Sequence, residues 1–184
     1  MGSGPASGAV GWRVIALWLD RERGVVSQEL STRTVDPGDD RYLEATWRAK
    51  ERIHRQDEVL AQGRGFFVSQ YRRSTVYLVL GPEPDRVAAF ALVRRDGYLS
   101  LLGVTPEHRR RGLGSQLLDR AAADHDRITC HTRVTNEGAV SFYLDQGFVV
   151  EQQVNGYYRD GTDAYKLALG DDEGRLSELA DLLE

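Results

Sequence analysis

A single cysteine, Cys130, stands in the 184 residues. No disulfide can close within the chain, and a cysteine-based zinc site lacks its ligands. A reducing, cytoplasmic setting is expected. Lysine is nearly absent, occurring only as Lys50 and Lys166, and arginine supplies the rest of the 24 basic residues. The 28 acidic residues bring the formal net charge to -4, which argues against non-specific nucleic-acid binding as the main activity. No run approaches the ~20 apolar residues that span a bilayer, so no membrane role is expected. Gly8–Asp20 superficially resembles a secretory signal. No basic segment precedes it, Arg13 interrupts it and no small-residue cleavage site follows. Repeats at periods of 20–50 residues are also missing.

What is present suits one ordinary domain with a core of its own. We divide the chain into an N-terminal extension over residues 1–27, with Met1–Ser7 as a disordered leader, a domain over 28–170, and an acidic tail over 171–184. The tail carries Leu176, Leu179, Leu182 and Leu183 at helical spacing. It reads as a docked or dimer-contacting helix or as a frayed end.

Within the domain, a strand is predicted from Gln28 to Val35, stopped by Asp36-Pro37-Gly38. A helix follows from Asp40 to about Ala61, with Leu43, Trp47 and Ile53 as its apolar stripe, broken at Gly63 and Gly65. Phe66–Arg73 forms a short second helix. Ser74–Leu80, Arg86–Val93 and Tyr98–Thr105 read as three antiparallel strands, punctuated by Gly81-Pro82 and Asp96-Gly97. Then strands and helices alternate: a helix over Gly112–His125, a strand over Ile128–Val134, a helix over Glu137–Gln146 capped by Asn136, and strands Phe148–Gln153 and Asp163–Leu169 around a Tyr157–Gly161 turn. The strand–helix–strand step from Tyr98 to Val134 predicts a right-handed crossover with near-parallel strands. The fold class is therefore α/β, a mixed sheet with helices on both faces.

Chemistry enters at Leu101–Ser115. An apolar strand ends, the basic run Arg109-Arg110-Arg111 follows, and Gly112 and Gly114 open an amphipathic helix. Free N–H groups at a helix start, backed by the helix dipole, bind phosphate oxygens. Glycine there lets backbone approach a pyrophosphate. The dinucleotide fingerprint fails because its third glycine position is Leu117, and no Gly-Lys-Ser/Thr of a P-loop is present. A second site is suggested by Ile128–Val134. Ile128, Cys130, Thr132 and Val134 point one way, and Thr129, His131 and Arg133 the other. The polar side should face a wet groove, placing His131 against solvent or substrate, where a pKa of ~6.5 suits a base that deprotonates an ammonium. The same residue could equally be a structural hydrogen-bonder.

Arg109, Gly112 and Gly114 meet the Q/R-x-x-G-x-G/A signature of motif A of the GNAT N-acetyltransferases, and Asn136–Tyr143 leading to Gly147-Phe148 resembles the family's motif B. The resemblance covers roughly Gln28 to Leu169. It implies a sheet splayed between two neighbouring strands with acetyl-CoA inserted there. The cosubstrate would be held by Leu102, Gly103, Val104, Arg109, Arg110, Arg111, Gly112, Leu113, Gly114, Ser115, Asn136, Ala139, Phe142 and Tyr143, with no metal. Within the family the chain is most similar to N-terminal acetyltransferases of the San type. Tyr98 and His131 fall on their Tyr/His catalytic pair, whereas the ribosomal-protein N-acetyltransferases carry glutamate at the His131 position. Tyr157 and Tyr158 match a hairpin tyrosine pair that contacts the substrate N-terminus. The resemblance places Tyr143 near the CoA sulfur, as the acid that protonates the leaving thiolate; otherwise it is a core aromatic. One departure concerns Gln56–Gly65, which is polar and lacks the Phe-Pro of the San-type peptide-binding loop. The implied function is acetyl transfer to a protein or peptide N-terminus by a monomer or homodimer. The alternatives are a small-amine N-acetyltransferase, for a polyamine or an aminoglycoside, and a non-catalytic acyl-CoA-binding module.

Overall fold

The computed structural model describes residues 30–83 and 86–170. The N-terminal extension, the predicted strand start at Gln28 and the acidic tail lie outside the described residues. Seven strands and four α-helices follow one another: β1 (Ser31–Val35), α1 (Leu43–Asp57), α2 (Arg64–Arg73), β2 (Ser74–Leu80), β3 (Val87–Arg94), β4 (Leu99–Val104), α3 (Leu113–Asp124), β5 (Ile128–Arg133), α4 (Glu137–Asp145), β6 (Val149–Val154) and β7 (Ala164–Leu169). A 3₁₀ turn over Pro106–His108 precedes α3.

The strands divide into two antiparallel sheets, one ordered β1-β2-β3-β4 and one β5-β7-β6. They meet at a single parallel bridge, Tyr98 to Thr129, supported by the Thr129 N–H bond to the Gly97 carbonyl at 3.0 Å. The mixed character expected of the sheet thus resides in this one bridge. Beyond it β4 and β5 diverge. Gly97 is required at the junction, since a Cβ there would stand 2.0 Å from the Arg127 carbonyl oxygen.

The first sheet is covered on both faces, and alternation along its strands feeds two cores. Val76, Leu78, Phe90 and Leu92 pack against Ala49, Ile53, Phe67 and Tyr71 of α1 and α2. Tyr77, Val79, Ala89, Ala91 and Val93 pack against Leu113, Leu117, Leu118 and Ala121 of α3. Seven of the eight residues of β3 are buried, which explains its continuous apolar run.

The first helix ends four residues earlier than predicted. Glu58 adopts a left-handed conformation (φ 57°), its N–H closing on the His54 carbonyl at 2.9 Å, and Leu60 is left-handed as well (φ 55°). Lys50, 1% exposed, secures this stop. Its ammonium donates to the Gln62 carbonyl at 2.7 Å and to Glu51 Oε1 at 2.9 Å, and lies 4.7 Å from the centre of the Trp47 ring. A buried ammonium needs such a set of partners, and here they hold the α1–α2 loop against the body of the fold.

Candidate active site

The divergence of β4 and β5 opens a groove of about 1590 Å³. Its floor is the two strands; α3 and α4 close one end, and the α1–α2 loop and the β6–β7 turn flank the other.

At the α3 end, Gly112 is left-handed (φ 72°) and turns the chain into the helix. The first helical bond runs from the Gln116 N–H to the Gly112 carbonyl at 3.0 Å. The amides of Leu113, Gly114 and Ser115 precede it and have no acceptor inside the helix. These residues line the groove, so donors and helix dipole point at one region.

The two glycines differ in purpose. A Cβ on Gly112 would meet nothing within 4 Å, so its requirement is backbone conformation. A Cβ on Gly114 would stand 3.0 Å from Phe142 Cζ, so this glycine serves the packing of α3 on α4. Gly103 is of the second kind: a Cβ there would lie 2.7 Å from Phe90 Cζ and 2.8 Å from Ile53 Cδ1.

The three arginines also part company. Arg109 pairs with Asp57 at the end of α1 and donates to the Val104 carbonyl at 3.3 Å. It is a strut between α1 and the loop rather than a free cation. Arg110 lines the groove with a left-handed backbone (φ 57°), and Arg111 is exposed outside the lining.

The edge of β4 facing β5 carries unused backbone groups. The Thr105 N–H goes to Ala88 in β3, so alternation turns the amides of Leu102 and Val104 into the gap. Across it, Asn136 caps α4 by accepting the Ala139 N–H at 3.1 Å, and Ala139, Phe142 and Tyr143 complete this wall. Tyr143 is buried beside the Cys130 thiol. Burial and that thiol hold its phenol well above the ordinary tyrosine range, and burial pushes the Cys130 thiol up to about 12.

The strand β5 alternates as expected. Ile128, Cys130 and Thr132 are buried, and Thr129, His131 and Arg133 lie on the half-open side. His131 Nδ1 stands 3.2 Å from the Tyr98 hydroxyl, which is 3.5 Å from the Tyr157 hydroxyl. Burial, then the neighbouring Lys166, lowers the His131 pKa and favours the neutral ring. Burial raises that of Tyr98 far above its usual value, as does its contact with Tyr157, which favours the phenol. Tyr158 lines the groove, its ring under the Arg133 guanidinium at 4.0 Å, and Arg133 pairs with Asp160 at 2.8 Å. Tyr98 and Tyr157 lie beside His131, outside the lining.

Sequence reasoning missed several residues. Thr105 and His108 form a buried pair beneath the basic loop, with Thr105 Oγ1 donating to the Ala88 carbonyl at 3.0 Å and accepting from His108 Nδ1 at 2.9 Å. Val59 and Leu60 of the α1–α2 loop and Phe66 of α2 line the groove. The scarcity of lysine could have singled out Lys50 as the anchor of that loop. Among the described residues no group of three or more His, Cys, Asp or Glu could hold a metal ion, and no helix is long and apolar enough to cross a membrane.

Comparison with known proteins agrees with this geometry. The family model for the acetyltransferase (GNAT) domain matches residues 61–150. N-alpha-acetyltransferase 30 of Xenopus laevis is 35% identical over 80 residues, which cover 41% of this chain and 29% of that protein. The chain thus spans well under half the length of this curated relative. Two solved structures share the fold. The ribosomal-protein-S18-alanine N-acetyltransferase of Escherichia coli superposes with a TM-score of 0.61 at 23% identity, covering 77% of this chain and 93% of the other. Arabidopsis thaliana Naa50, in complex with the bisubstrate analogue CoA-Ac-MVNAL, gives 0.59 at 20% identity, covering 77% and 99%. With the splayed strands, the glycine turn into α3 and the capped α4 in place, residues 61–150 match the acetyltransferase (GNAT) domain, and the fold is the one those solved structures share.

Proposed function

We propose that the chain is an acetyl-CoA-dependent N-acetyltransferase whose acceptor is the α-amino group of a protein or peptide N-terminus. The observation that carries this reading is the continuity of the groove, which joins the amide cluster of α3 to His131 through the gap between β4 and β5. The relative in Xenopus laevis bears the name of an N-alpha-acetyltransferase, and the Naa50 structure holds a CoA–peptide conjugate.

The residues present fit acetyl-CoA, which when bound supplies the activated acyl group as a thioester. The amides of Leu113, Gly114 and Ser115 receive anionic phosphate oxygens. An N–H of Leu102 or Val104, held rigid by the strand and turned into the gap, would donate to the thioester oxygen and stabilise negative charge developing there. His131, neutral by burial, takes the proton of the acceptor ammonium on its nitrogen not engaged by Tyr98. The Tyr143 hydroxyl, in the α4 wall of the groove, would donate a hydrogen bond to the departing sulfur. Its raised pKa makes it a weaker acid than a free phenol. Tyr158, the loop residues Val59 and Leu60, and Phe66 of α2 would border the acceptor. We place the enzyme in the cytoplasm, in keeping with its lone, buried thiol.

The test is acetyl-CoA turnover by the full chain over short peptides varied at their first two residues, beside a panel of polyamines and aminoglycosides. Turnover on peptides, abolished by blocking their α-amino group, is expected. Turnover confined to the small amines makes the chain a small-molecule N-acetyltransferase. Binding of acetyl-CoA with no turnover on either panel makes it an acyl-CoA-binding module.

A further inference from the structure

The resemblance assigns Tyr157 and Tyr158 together to the acceptor, but the structure separates them. Tyr158 lines the groove and Tyr157 does not. The Tyr157 ring lies flat on the His131 imidazole, centroids 4.5 Å apart and planes within 5°. Its hydroxyl oxygen stands 3.5 Å from that of Tyr98, which stands 3.2 Å from His131 Nδ1.

These three groups form a chain whose direction decides which ring nitrogen is basic. Each hydroxyl has one hydrogen to donate, and a neutral imidazole has one N–H and one lone pair. If Tyr157 donates to Tyr98 and Tyr98 to Nδ1, the ring proton sits on Nε2 and no lone pair faces the groove. If Tyr98 donates to Tyr157 instead, the Tyr98 oxygen accepts the Nδ1–H bond and Nε2 keeps its lone pair. Nδ1 is engaged in both directions, and among the described residues nothing bonds to Nε2. Nε2 is therefore the nitrogen an acceptor amine meets, and only the second direction makes it a base. A free neutral imidazole in water favours the opposite tautomer, with the proton on Nε2, so the basic form has to be imposed.

We propose that Tyr157 is a positioning residue for His131: its ring holds the imidazole plane, and its hydroxyl, by accepting from Tyr98, keeps Nε2 unprotonated. The proposal rests on the reading of His131 as the base. Tyr157 is 44% exposed, so its own hydroxyl hydrogen turns to water. Tyr98 can act as the middle link because it remains a phenol, with a hydrogen to give and a lone pair to receive. The orientation of a base by a second group bonded to its far nitrogen is a general requirement of histidine catalysis.

The experiment reads the tautomer directly, by two-bond ¹H–¹⁵N correlation spectra of the histidine rings in the full chain, at a pH above their titration. Four histidines are present, and the His131→Gln spectrum assigns the one that matters. Wild type should show His131 protonated on Nδ1. Tyr157→Phe, which keeps the stack and removes the acceptor, should move the proton to Nε2. It should also lower kcat roughly 5- to 10-fold, as the basic form becomes a minor population. KM for the peptide turned over best in the acceptor panel should stay within about twofold, since the groove lining is untouched. Tyr157→Leu removes the stack as well and should lose more. Tyr158→Phe should leave the tautomer as in wild type. A wild-type ring protonated on Nε2 refutes the proposal. So does a Tyr157→Phe enzyme whose only change is a raised peptide KM, the behaviour of a substrate-binding residue. A tautomer that follows Tyr157 while His131→Gln turns over normally refutes the base assignment instead, leaving the coupling of the two rings intact.

Discussion

His131→Ala separates an enzyme from a binding module, and the structure sets the size of each expected effect. Loss of a positioned base costs ~10²–10⁴-fold in rate, equivalent to about 2.7–5.4 kcal/mol of barrier. The folding cost is smaller. The ring gives up one neutral hydrogen bond to Tyr98 and one stack on Tyr157, each worth about 0.5–1.5 kcal/mol. The melting temperature should therefore fall by roughly 2–12 °C, with the protein folded at assay temperature. Acetyl-CoA affinity should stay near wild type, because the amides proposed to take its phosphates, at Leu113–Ser115, belong to α3 and not to the strand that carries His131. The assay is acetyl-CoA consumption at fixed peptide, paired with calorimetric titration of acetyl-CoA. The pH profile supplies a second sign. The lowered pKa of His131 means that the imidazole protonates only below the ordinary value of 6.5. The wild-type rate should be flat near neutrality and fall as pH drops through that lowered pKa. In His131→Ala the acid limb should vanish, and His131→Glu should restore part of the rate. Near-normal turnover in His131→Ala, with the acid limb intact, would falsify the assignment.

Other perturbations probe the rest of the groove. Gly112→Val imposes a β-branched residue on a left-handed backbone, costs about 1–2 kcal/mol and should erase the thermal shift produced by acetyl-CoA; a preserved shift places the cosubstrate elsewhere. Gly114→Ala pushes a methyl into Phe142 and should lower the melting temperature, and it should do so equally with and without acetyl-CoA if packing is its main role. Tyr143→Phe keeps the ring and loses the hydroxyl. Turnover should fall while the melting temperature changes by a few degrees at most, and an unchanged rate would show that water protonates the thiolate. Lys50→Met frees the Gln62 carbonyl, so amide exchange should speed up over residues 58–63 and acceptor KM should rise with acetyl-CoA affinity constant; slow exchange throughout that loop would contradict the anchoring role.

The local order of the chain was legible from residues close together in sequence. The alternation of β5, the meander of β2 to β4, the Asn136 cap and the glycine turn into α3 each depend on neighbours within a few positions, and each is found where periodicity or capping placed it. Contacts between distant positions were decided by the tertiary structure. Arg109 read as a cation for phosphate, yet Asp57, 52 positions earlier, takes it up as a strut. Gly114 read as clearance for a pyrophosphate, yet the ring of Phe142 occupies the space a Cβ would need. The first helix stops at Asp57 because Lys50 binds a carbonyl 12 residues onward, where local propensity alone carried it to Ala61. Tyr157 read as a substrate contact through its sequence pairing with Tyr158; its stack on His131, from a separate hairpin, is a contact that spacing along the chain does not show. The sequence by itself determined which segments are strand, helix and turn, because those choices are governed by spacing within a few residues. Which charge is spent on structure, and which ring lies on His131, depended on how two sheets joined at one bridge bring those segments together.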